Sequence, residues 1–74
     1  MSKNDYTLAE VRKYLDIYGK MVHQSYIWAG GVTVKEHRAA VEETIQMAKN
    51  EFPEELKDEK FENILNDLEK ILKR

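Results

Sequence analysis

The amino-acid sequence predicts an all-α chain, a single domain over residues 1–74 in which three helices pack up-down-up. Two threonines stand where helix N-caps belong: Thr7 with Glu10, and Thr33 with Glu36, both have the capping-box spacing. Gly30-Gly31 and Pro53 interrupt the chain where helices would have to end. Between these breaks apolar residues recur every three or four positions, the helical period. The resulting helices span about residues 7–28, 33–52, and from 54 or 58 to 73.

Helix one carries two apolar stripes. Leu8, Val11, Leu15, Tyr18, Val22 and Tyr26 form the first, and Tyr14, Ile17, Met21 and Trp28 run beside it. Together they cover roughly half the circumference, against the ~100° that one core needs. The first stripe is expected to face the other two helices. Tyr14, Ile17 and Met21 then exceed what two neighbours cover, and a second copy of the chain would bury them. The competing arrangement buries them inside a bent bundle. Gly19 costs about 1 kcal/mol relative to alanine inside a helix, yet both stripes stay in phase across it, which argues for one helix bent there.

Helix two places Val34, Val41, Ile45, Ala48 and Phe52 on one side, flanked by Ala40, Thr44 and Met47. Helix three has a narrow stripe of Phe61, Ile64, Leu65, Leu68, Ile71 and Leu72. Asp58 can cap it, which leaves residues 53–57 as a separate turn because Leu56 falls off the stripe.

Composition narrows the function classes. There is no cysteine, so disulfides, thiolate metal sites and cysteine nucleophiles are all excluded, and a reducing compartment such as the cytoplasm is expected. No signal core, myristoylation site or bilayer-length apolar run is present in the sequence. Twelve basic and 14 acidic side chains give a net charge of −2, without the cationic field that nucleic acid or anionic lipid attracts. From Glu51 onward eight acidic and five basic residues make the last third the negative end.

Catalytic residues are not assembled by this sequence. Its histidines are His23 and His37 and its serines Ser2 and Ser25, and a helix turns Ser25 about 160° away from His23. Gly19, Gly30 and Gly31 have neither the phosphate-loop nor the dinucleotide spacing. The residues three before the histidines are Lys20 and Val34, so the Glu-x-x-His pattern of bundle metal sites is missing. Adjacent carboxylates such as Glu42-Glu43 and Glu54-Glu55 diverge by about 100° on a helix. The chain is therefore read as non-enzymatic, with no catalytic, cofactor or metal residues and no small-molecule substrate.

What remains is binding. Tyr26-Ile27-Trp28, directly before Ala29-Gly30-Gly31, is the leading contact segment, because tyrosine and tryptophan bury large area with few rotors. Tyr14, Ile17 and Met21 come next, and the assembly expected is a homodimer. An anchoring Trp28 predicts that Trp28→Ala costs assembly more than stability; a Trp28 that caps the core predicts the reverse. The alternative functions are an immunity-protein or antitoxin-like inhibitor of a partner, and a helix-turn-helix nucleic-acid binder using Lys35 and Arg38, against which Glu36, Glu42 and Glu43 stand on or beside the same face. His37, between Val34 and Val41, reads as a packed edge residue, with a pH switch as its functional alternative.

Overall fold

The computed structural model describes residues 5–74. The readings that involve Met1 to Asn4, including Ser2 and the absence of a signal core or acylation site, lie outside them. Three helices, α1 (Leu8–Ile27), α2 (Lys35–Asn50) and α3 (Glu59–Lys73), contact one another in every pairing. A 3₁₀ turn at Glu54–Leu56 precedes α3.

Cross-helix contacts fix the directions. Lys13 pairs with Glu51 at 2.8 Å and the Trp28 ring lies on His37, so α1 and α2 are antiparallel. Arg38 near the start of α2 donates to the Leu72 carbonyl near the end of α3, while Arg74 donates to the Ala29 carbonyl at the end of α1. α3 is thus antiparallel to α2 and parallel to α1, the up-down-up arrangement expected from short connections.

The caps explain where each helix begins. Thr7 Oγ1 accepts from the Glu10 amide at 3.1 Å, and the Glu10 carboxylate accepts from the Thr7 amide at 2.8 Å, closing the capping box. Asp58 accepts from the Phe61 amide at 2.8 Å and starts α3. The second box does not form. α2 begins one residue later than Thr33 predicts, with Val34 at the cap position and no side-chain bond. The reason lies in Val32, which is buried in the core and draws the turn inward, while Arg38 donates to its carbonyl at 3.1 Å. Of the two glycines only Gly31 takes positive φ, at 110°, and its amide bonds the Trp28 carbonyl at 2.8 Å. α2 likewise ends at Asn50 rather than Phe52, which frees Phe52 to stack on Phe61. Lys57 then reaches back to the Lys49 carbonyl at the open end of α2.

Ile17 and Met21 of α1, Val41, Ile45 and Ala48 of α2, and Phe61, Leu65, Leu68 and Ile71 of α3 make the core, with Val32 from the turn. Thr44 is the buried polar residue among them, its hydroxyl satisfied by the Ala40 carbonyl at 3.0 Å. The predicted stripes of α2 and α3 are the buried ones, except at the start of α2, where Val34 and Ala40 are exposed. In α1 the two stripes exchange roles.

Candidate functional site: the outer face of the first helix

α1 runs unbroken through Gly19, and its inner side is the stripe of Tyr14, Ile17, Met21 and Trp28. Ile17 and Met21, expected at an intermolecular contact, are instead 3% and 0% exposed. They fill the core because α2 and α3 both pack on that side, and two neighbours do cover it. The other stripe is left outside, except at Tyr18, which is half-buried and packs on the core. Leu8, Leu15 and Tyr26 are 66%, 65% and 83% exposed, with Val11 and Val22 between them. Of the eight large hydrophobic residues that stand exposed among the described residues, six belong to α1, the sixth being Ile27. Isolated exposed apolar residues are ordinary; a row of them along one helix is a candidate contact surface.

The row also keeps a heptad spacing. Leu8, Leu15 and Val22 recur every seven residues, and Val11 and Tyr18 fall three after the first two of them, the a and d positions of a heptad pattern. Gly19 lies beside Leu15 on this outer face, exposed, and a Cβ placed on it would meet nothing within 4 Å. On one flank Arg12, Asp16 and Lys20 alternate in sign, Lys20 pairing with Asp16 at 3.4 Å.

A groove runs along each side of the ridge, and Leu15 borders both. The first, about 250 Å³, lies between α1 and the start of α3 and is walled by aromatic rings. These form a chain: Tyr6 to Tyr14 at 5.5 Å, Tyr14 to Phe52 at 5.8 Å, and Phe52 stacked on Phe61 at 4.5 Å. Tyr14, expected at an interface, is a half-buried link in it. The second groove, about 460 Å³, lies between α1 and α2 and is lined by Gly19, His23, Gln24, Ile27, Trp28 and His37, among others. The Gln24 carbonyl oxygen is buried there without a hydrogen-bond partner among the described residues.

The Tyr26-Ile27-Trp28 segment is divided between two roles. Tyr26 and Ile27 stand exposed, whereas Trp28 packs on the core and lies 4.6 Å from the His37 ring, the planes tilted by 30°. His37 is an exposed residue of the first turn of α2, with its ring against Trp28 at the edge of the core.

Two titratable groups on this side are held by the opposite wall. Tyr6 donates to Glu55 at 2.5 Å, and that bond is the main reason its phenol is pushed up from 10.0 to about 12. The Glu51 carboxylate, by its hydrogen bond and then its charge, raises the Lys13 ammonium above its usual 10.5. For Tyr6 the neutral form is the favoured one, so the contribution to folding is whole below about pH 10 and is lost as pH rises through 12. In a titration followed by its ring resonances, Tyr6 is expected to ionise near 12, and Glu55→Gln should bring it back towards 10.0. A Tyr6 that ionises at its ordinary 10.0 would refute the contact.

No three His, Asp or Glu side chains converge on a point that could hold a metal ion, and no helix is long and apolar enough to cross a membrane, among the described residues. No protein-family model matches the chain, and no curated protein or solved structure matches it either.

Proposed function

We propose that this protein is a non-enzymatic interaction module that acts by self-association, and that the outer ridge of α1 is its contact surface. The observation that carries the reading is the row of Leu8, Val11, Leu15, Val22 and Tyr26 left uncovered on a helix whose other side is already spent on the core. A chain of 74 residues buries only about 60% of its unfolded surface, and pairing such a row is a direct way of adding apolar burial. Leu15, if fully buried, contributes about 1.5–3 kcal/mol per copy. The ridge carries both signs of charge on its flank, which suits a like surface better than a strongly acidic or basic one. The absence of cysteine supports a reducing compartment such as the cytoplasm as the place of action.

Light scattering over a wide concentration range tests the reading. The parent chain is expected to run as a dimer that dissociates on dilution, and Leu15→Glu as a monomer with an unchanged helical circular-dichroism spectrum, because a substitution at so exposed a site costs the fold about 0.5 kcal/mol or less. A parent chain that is monomeric at every concentration would end the self-association reading.

A further inference from the structure

We infer that the second copy docks antiparallel on α1, with Leu15 of each chain seated over Gly19 of the other. The inference rests on the self-association reading and specifies its geometry.

Gly19 is the starting point. Glycine inside an exposed stretch of helix is unfavourable, and the single chain gives no return for it: the backbone there is ordinary helix, and a Cβ would enter open space. The notch it makes lies on the ridge, next to a leucine that protrudes with 65% of its surface exposed. Protrusion and notch on one face are what a two-fold contact requires, since the same patch must serve as both halves.

The remaining ridge residues agree with this register. A two-fold axis midway between Leu15 and Gly19 sets Leu8 against Tyr26 of the other copy, the two ends of the row, and brings Val22 opposite Arg12 and beside Val11. Gly19 permits the axes to approach towards the close end of the usual 8–10 Å, and side-by-side packing engages all of the ~30 Å that a 20-residue helix spans. A steep crossing would use only its middle, well short of the ~800 Å² per partner of a standard interface. The flanking charges discriminate orientation. The antiparallel two-fold sets the same flank of each copy side by side and brings the Lys20 ammonium of each to the Asp16 carboxylate of the other, whereas parallel pairing turns that flank towards the opposite one, where Val11 and Tyr18 offer it no charge.

The test combines Gly19→Ala with engineered cysteines, which are clean reporters in a chain that has none. In Gly19→Ala the added methyl group is expected to raise the melting temperature of the dilute monomer by about 4 °C or more, and to weaken the dimer about tenfold by filling the notch. These opposite signs separate an interface role from a fold role. An equal mixture of Leu8→Cys and Tyr26→Cys chains, equilibrated in glutathione redox buffer, is expected to give mixed disulfides well above the roughly half that random pairing yields, since disulfide formation needs Cα atoms within about 7 Å. A dimer indifferent to Gly19→Ala, or one whose Leu8→Cys chains join each other, overturns the antiparallel register and leaves self-association standing. A parent chain that never dimerises overturns both.

Discussion

Phe61→Ala is expected to remove about 3–5 kcal/mol of stability, enough to leave much of the chain unfolded at room temperature. The ring is 1% exposed at the first turn of α3, stacked on Phe52 at 4.5 Å, with the Lys57 ammonium 5.9 Å from its centroid. Removing it opens a cavity where α3, the 3₁₀ turn and the aromatic chain meet, so Phe52 and then Tyr14 lose their packing. A domain of this size has a total stability of only about 3–5 kcal/mol from a single core. Urea titration followed by circular dichroism checks this. A midpoint that stays close to that of the parent would show that the aromatic chain is not part of the cooperative core.

Trp28→Ala is expected to cost about 2–3 kcal/mol, a half-buried ring losing less than the 3–5 of a fully buried one, while assembly changes less than in Leu15→Glu. The indole closes the end of the core between α1 and α2, packed on the buried cluster and on His37. This is the core-cap alternative from the sequence, and it inverts the outcome that an anchoring Trp28 would give. Thermal unfolding of both variants at one low concentration, beside their masses at high concentration, separates the two roles. Loss of the dimer with an unmoved melting temperature would return Trp28 to the interface.

The fold was legible because its punctuation is chemical. Thr7, Asp58, Gly31 and Pro53 each satisfy or deny a particular backbone group, and the stripe of α3 is narrow enough to have one orientation. The α2 start was misplaced by one residue because a capping box on paper competes with a buried valine in the turn, and burial of Val32 outweighs one exposed hydrogen bond. The candidate site was harder. Periodicity locates two stripes on α1 without saying which is inner, since both are apolar and both keep step across the helix. One clue was present: a core lined by Gly19 would carry a void, so the stripe beside it belongs outside. Tyr26 and Ile27 were found as exposed residues, but Leu8 and Leu15 were read as core because nothing local distinguishes a leucine kept for a neighbour from one kept for a partner.

The placement of the aromatic residues has a consequence for how unfolding can be watched. Tyr6, Tyr14, Phe52 and Phe61 gather at one pole, and Trp28, the sole tryptophan, closes the other, about 21 Å along α1 from Tyr14. Each pole therefore carries its own spectroscopic reporter, indole emission at one and the ring resonances of Tyr6 and Tyr14 at the other. Coincident melting curves from the two would make the bundle a single cooperative unit, while separated curves would reveal which pole opens first.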